Sequence, residues 1–234
     1  IKEKQIMGAF KEPHGGELKQ LYLAPAEAEQ EKQRGRDYRS WDLTDRQLCD
    51  IELLLNGAFS PLEGFLTEAE YDGVVETMRL PSGVLWPMPI TLDVTEEFAA
   101  DIETGERIAL RDKEGVLIAT LEVSDHWTPD KAREARCVFG TEDVKHPGVN
   151  YLQNIANPVY VGGKLTGVEA PTHYDFRGLR DTPAEMRARF KTLGWRQVVA
   201  FQTRHPTHRA HPQLPLRAPQ ANASHPRIHP AARL

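Results

Sequence analysis

The sequence predicts an α+β protein in two parts: a small curled β-domain with peripheral helices, followed by the opening of an α/β domain. Three observations predict this. Helices with clear start signals flank a centre of short β-rich runs. Those runs turn back on one another at a Gly-containing tetrad. Past residue 175 the pattern changes to a capped helix and then a near-continuous apolar run, the mark of a parallel strand covered on both faces.

Thr44 opens the first helix, with Gln47 completing a capping box; Leu48, Ile51 and Leu55 share a face and Gly57 is placed to stop it. Thr67 and Glu70 open the second, whose stripe is Tyr71, Val74, Val75 and Met78. Residues 84–94 carry Pro87 and Pro89, which confine that segment to an edge or an irregular strand. Residues 107–111 and 116–123 read as a hairpin closed at Asp112-Lys113-Glu114-Gly115. A second hairpin is expected at Gly162-Gly163, joining residues 159–161 to Leu165 onward. Thr182, Pro183 and Glu185 open a third helix over 183–193, with Met186, Phe190 and Leu193 as its apolar face and Gly194 as its stop. The apolar run at residues 197–201 follows. The domain boundary falls between 170 and 180, giving residues 1–174 and 175–234.

Composition narrows the function. The 234 residues are 40% hydrophobic and 27% charged, which excludes wholesale disorder. The net charge of −5 hides an asymmetry. Residues 1–185 hold 20 Lys and Arg against 34 Asp and Glu, a balance of −14; residues 186–234 hold nine basic residues and no acidic one, +9. Two cysteines, Cys49 and Cys137, make neither a disulfide framework nor a thiolate zinc site, and suit a reducing cytoplasm. The longest apolar stretch, residues 84–92, is too short and too rich in proline to span a bilayer, so no membrane association is expected. No secretory pattern opens the chain, and a start at Ile1 is expected of a chain lacking its native N-terminus.

The chemistry concentrates after the apolar run, at Gln202-Thr203-Arg204-His205-Pro206-Thr207-His208-Arg209-Ala210-His211. Ligands of open α/β sheets sit beyond the carboxyl ends of strands, where this loop would lie. Arginine forks match tetrahedral oxyanions, and His208 and His211, three apart, could face one point from a first helical turn with its free amides. The loop therefore reads as a polyanion site at a strand-to-helix turn. A solvated basic surface is the bland alternative. A zinc site lacks carboxylate and thiolate partners. A nucleic-acid-binding tail would want interleaved aromatics, absent after Phe201, and a less acidic body. No Gly-x-Ser-x-Gly elbow supports a serine hydrolase.

At this loop the chain resembles the ATP sulfurylase (sulfate adenylyltransferase) family, whose Gln-x-Arg-Asn-Pro-x-His-x-x-His motif stands here as Gln202, Arg204, His205, Pro206, His208 and His211. Pro13-His14-Gly15-Gly16, Gly57-Ala58-Phe59-Ser60-Pro61-Leu62, Leu85-Trp86-Pro87, Pro89-Ile90, Gly140-Thr141, His146-Pro147-Gly148-Val149 and Leu193-Gly194-Trp195-Arg196 fit the same family in order. The resemblance implies a PUA-like β-barrel domain followed by the truncated start of a Rossmann-like nucleotidyltransferase domain. It implies adenylyl transfer, ATP and sulfate giving adenosine 5′-phosphosulfate and pyrophosphate, with Mg²⁺ on the nucleotide and no protein-bound metal. Gln202, Thr203, Arg204 and His205 would bind sulfate or phosphosulfate; His208 and His211 would face the ATP phosphates. Gln202, Arg204, His208 and His211 would be the catalytic set, in a homo-oligomeric parent enzyme. The competing expectation is a non-catalytic PUA-like module with an anion- or nucleic-acid-binding tail.

The chain departs from the pattern after Arg204. His205 replaces asparagine, and His211-Pro212-Gln213-Leu214-Pro215-Leu216-Arg217-Ala218-Pro219 stands where the family reads His-x-Glu-Leu-Thr-Leu-Arg-Ala-Ala. A proline inside a helix costs about 3 kcal/mol, so that helix should kink, shorten or fail. Asn to His, Thr to Pro and Ala to Pro are each one base change to C at the first codon position, a signature of sequence error or gene decay. These 234 residues are not expected to close an active site alone.

Overall fold

The computed structural model describes residues 11–195, 198–203 and 225–230. Residues 14–180 form one compact unit, and the described residues from 181 onward, with 11–13, belong to another.

In the first unit α1 (Pro25–Arg34) leads through β1 (Arg39–Asp42) to α2 (Asp45–Leu55). Then come β2 (Gly64–Phe65), α3 (Glu68–Thr77), β3 (Leu92–Val94), α4 (Glu96–Ala100), β4 (Arg107–Arg111) and β5 (Leu117–Trp127). α5 (Lys131–Glu134) runs directly into a π-helical turn, Ala135–Phe139, followed by α6 (Pro147–Asn154) and β6 (Val159–Gly167). All six strands share one sheet of order β1-β4-β5-β6-β2, with β3 also pairing β6. β1 runs parallel to β4, and every other pairing is antiparallel.

The helix starts follow the sequence closely. Thr44 Oγ1 accepts from the Gln47 backbone N–H while Gln47 Oε1 takes that of Thr44. The Thr67 amide and hydroxyl both donate to Glu70 Oε2, each at 2.9 Å. Ile51, Leu54 and Leu55 of α2 and Tyr71, Val74 and Val75 of α3 are buried in the main core against Leu92, Val94, Ile108, Leu110, Ile118, Leu121, Val161 and Leu165. Met78 does not join them. It caps α3 in the left-handed region (φ 55°) and is 50% exposed, because the chain leaves the helical path one residue before the stripe would be completed.

The opposite face of the sheet is covered by α1, whose Ala28 packs with Ala109, Leu117 and Val168. That helix has no apolar stripe. Its buried Glu31 instead accepts from Thr120 Oγ1 at 3.0 Å and from Arg107 at 3.3 Å. Hence residues 117–121 are buried without alternation.

The 112–115 turn forms as read: Gly115 has φ +84°, and Asp112 Oδ1 accepts from the Glu114 and Val116 amides. The hairpin expected at Gly162-Gly163 does not. Both glycines lie inside the continuous strand β6, hydrogen-bonded to β5 on one side and to β2 and β3 on the other. Their role is close approach: a Cβ on Gly163 would lie 2.2 Å from the Glu122 carbonyl, and one on Gly162 2.5 Å from that of Leu66. A register shift in β5 between Val123 and Asp125 sits opposite them.

In the second unit, α7 (Pro183–Thr192) is capped by the Thr182 hydroxyl, with Glu185 returning to the Thr182 amide, and Gly194 follows with φ +68°. No residue of α7 is buried. Of the expected apolar face, Phe190 stacks on Trp195 with ring centroids 5.8 Å apart, and Leu193 is 53% exposed. β7 (Val198–Thr203) and β8 (His225–Pro230) pair in parallel, as the apolar run predicted for its strand. Among the described residues no helix is long and apolar enough to cross a membrane.

Candidate functional site

The strand end carries the sequence-predicted site only in part. Gln202 and Thr203 are the last two residues of β7, in register with His229 and Pro230 of β8. A parallel pair brings both carboxyl ends to one edge, where α/β sheets place their ligands. Arg204, His205, His208 and His211 lie outside the described residues.

Concavities within residues 14–180 include two with polar linings. One, of about 310 Å³, is lined by Ala170, Pro171, Thr172, His173, Arg177 and Arg180. His173 Nε2 meets both oxygens of Glu52, at 2.8 and 2.9 Å, which pins this segment to α2. Arg180 is held by Asp175 through Nη2 to Oδ1 at 2.9 Å. Burial, with the Glu52 charge added, raises the nearby Tyr22 phenol to about 12.

The second, of about 260 Å³, brings together α2, β3, the α5–π-turn junction, α6 and β6, with Arg46, Met88, Asp93, Glu134, Tyr151 and Tyr160 among its lining. Asp93 Oδ1 accepts from Gln47 Nε2 at 2.9 Å, and Oδ2 from the Asn157 amide at 2.8 Å. Glu134 is 7% exposed, and the Tyr71 and Tyr160 hydroxyls both donate to its Oε2, at 2.9 and 3.2 Å. Burial raises the Glu134 carboxyl above its usual range, although the two hydroxyls and the Arg46 and Lys131 cations oppose it. Burial first, and the Glu134 charge second, push both tyrosines far upward, so they remain donors. The Arg46 guanidinium lies 4.3 Å from the Tyr151 ring centroid. Nothing in the sequence flags this cluster, because its members come from five elements and share no spacing. Among the described residues no group of three His, Cys, Asp or Glu could hold a metal ion.

Comparison with known proteins gives a consistent result. A family model described as a PUA-like domain matches residues 11–170, and one described as ATP-sulfurylase matches residues 177–232. A sulfate adenylyltransferase of Eremothecium gossypii is 48% identical over 223 residues, covering 95% of this chain and 44% of its own length. That of Saccharomyces cerevisiae is 48% identical over 225 residues with the same coverages, and that of Phaeosphaeria nodorum 49% over 226 residues, 39% of its length. A solved hexameric APS kinase from Thiobacillus denitrificans matches with a TM-score of 0.76 and 36% identity, over 94% of this chain and 39% of that one. The chain thus spans less than half the length of these relatives. On these matches, with a mixed fold whose first unit bears the PUA-like match and whose second opens with a capped helix and a parallel strand, the chain belongs to the ATP sulfurylase family.

Proposed function

We propose that this chain supplies the PUA-like domain and the first anion-binding strand end of a sulfate adenylyltransferase. The reaction joins ATP and sulfate into adenosine 5′-phosphosulfate and releases pyrophosphate. The observation that carries the reading is the position of Gln202 and Thr203 at the end of a parallel strand, directly before Arg204, His208 and His211. The proposed division of the chain is 1–174 and 175–234, supported by the gap between the two family matches.

Sulfate is a weak nucleophile, so alignment and charge neutralisation carry the catalysis. A sulfate oxygen attacks the α-phosphorus in line, the bond to the β-phosphate oxygen breaks, and pyrophosphate leaves with the electron pair. Gln202, Thr203, Arg204 and His205 hold the sulfate, the arginine through its fork. His208 and His211 face the phosphates and steady the crowded transition state. Residues 202–211 contain no carboxylate, so they fit a Mg²⁺ carried by the nucleotide rather than by the protein. When bound, that ion neutralises phosphate charge. The parent enzyme is a homo-oligomer in this reading, a proposal supported by the hexameric relative, and it works in the cytoplasm, as two exposed free cysteines suit.

The test replaces the matching 223 residues of the Eremothecium gossypii relative with those of this chain and measures sulfate-dependent pyrophosphate release from ATP. The unmodified chimera is expected to be impaired by His205, Pro215 and Pro219, and H205N/P215T/P219A to restore turnover. A repaired chimera that folds and binds ATP yet shows no sulfate-dependent release would overturn the reading.

A further inference from the structure

The 260 Å³ cavity is built wholly within residues 46–160 and takes no part in the strand-end chemistry. Its polar groups differ in how far they are used. Both carboxylate oxygens of Asp93 are occupied by Gln47 and Asn157. Arg46 stands at the rim, stacked on Tyr151 and 3.8 Å from Asp50. Glu134 is different. Both hydroxyl donors arrive at Oε2, leaving Oε1 of a 93% buried carboxyl with no protein partner among the described residues. That oxygen is open to solvent on the cavity side, so a donor carried by a ligand can take the place of water there.

The surroundings are fixed in advance. Glu134 is the last residue of α5, immediately before the π-helical turn, a local irregularity found mostly at functional sites. That turn ends at Phe139, whose ring sits so close to α6 that a Cβ on Gly148 would come within 2.7 Å of it. Phe139, Tyr151 and Tyr160 give the cavity aromatic walls, and Leu152 and Met88 complete them. The volume lies below the roughly 300–1,000 Å³ of sites for drug-sized ligands, which suits one or two rings. The lining sets two carboxyls against one guanidinium, Arg46, which disfavours an anion, whereas a flat donor-bearing cation approaching from the Glu134 side meets both the walls and the free oxygen.

We propose that this cavity is a second ligand site, which binds a small planar ring carrying an amidine-like N–H edge, the edge donating to Glu134 Oε1. Amidines and guanidines present such donors in pairs, and a neutral aminopurine base presents one, its exocyclic N–H beside a ring acceptor. The site is independent of the strand-end reading and stands or falls separately.

The test titrates benzamidine, adenine and, as the uncharged isostere, benzamide into the whole chain, followed by ¹H–¹⁵N NMR. Benzamidine is expected to bind saturably with a Kd of about 1 mM, moving the amides of Phe139, Tyr151 and Leu152. Benzamide should bind at least about tenfold more weakly, since it forfeits the charge-assisted bond. Saturable binding of adenine as well would extend the site to nucleobases; binding of benzamidine alone would restrict it to amidines and guanidines. Glu134→Gln should weaken benzamidine at least about tenfold while leaving benzamide unchanged. Absence of saturable shifts, equal affinity for benzamidine and benzamide in the unsubstituted chain, or shifts lying elsewhere would overturn the proposal. The first two readings need no variant, so a misfolded Glu134→Gln cannot shield it.

Discussion

Gly64→Ala tests the claim that the central strand is threaded through glycine contacts. Gly64 pairs with Lys164, and a Cβ on it would lie 2.0 Å from the Gly163 carbonyl oxygen and 3.0 Å from the Leu165 amide nitrogen. The three nearest atoms are all backbone, so no rotamer change relieves the clash. β2 must retreat by about 1.5 Å to reach ordinary contact distance. It carries Phe65 (2% exposed) and leads into Leu66 (1%), so the retreat also opens the core. Losing about two ladder bonds at about 1 kcal/mol each, with about a further 1–3 kcal/mol typical of overpacking, gives a cost of about 3–5 kcal/mol. Urea unfolding followed by tryptophan fluorescence reads it, since Trp41, Trp86 and Trp127 all lie within residues 14–180. The midpoint should fall by about 1–2 M at an ordinary slope. Gly83→Ala is the control: φ is +82° with nothing within 4 Å, so only the left-handed backbone penalty of about 1 kcal/mol applies. A midpoint for Gly64→Ala no lower than that of Gly83→Ala would mean that β2 has room for a side chain beside Gly163.

Other consequences follow from the buried polar groups and caps. Gln47→Leu removes the donor to Asp93 Oδ1 and the acceptor for the Thr44 amide and Trp41 Nε1, and should cost about 3 kcal/mol in the same unfolding assay. Glu134 has a native pKa above the 4.5 of an unfolded glutamate, so the native state binds the extra proton between those values. Its contribution is therefore present below 4.5 and lost as pH rises through the raised native value. Stability measured across that window should fall more for the unsubstituted chain than for Glu134→Gln, and parallel curves would contradict the assignment. Thr182→Ala should cost α7 about 1 kcal/mol, seen as faster amide exchange over residues 183–192.

What was legible in the sequence was local. The capping boxes at Thr44, Thr67 and Thr182 and the 112–115 turn are set by groups within four residues, and each forms as read. Gly162-Gly163 misled because a glycine pair serves a turn and a close backbone approach equally well; the neighbours that decide, Glu122 and Leu66, are distant in sequence. α1 escaped notice because Glu31, not an apolar stripe, ties it to the sheet. The same limit governs the sites. The strand-end motif is contiguous and could be read residue by residue. The Glu134 cavity draws on Arg46 through Tyr160, and no spacing announces it.

We propose that sulfate is activated at the carboxyl end of β7. The most direct measurement is ATP formation from adenosine 5′-phosphosulfate and pyrophosphate by the repaired chimera, with and without Arg204→Ala. Removing a fork that neutralises the transferring groups should lower the rate by about 10²-fold or more, with Arg204→Lys recovering only a part of it. A folded Arg204→Ala protein that retains its rate within about threefold, a change of under about 1 kcal/mol in the barrier, would place sulfate activation elsewhere.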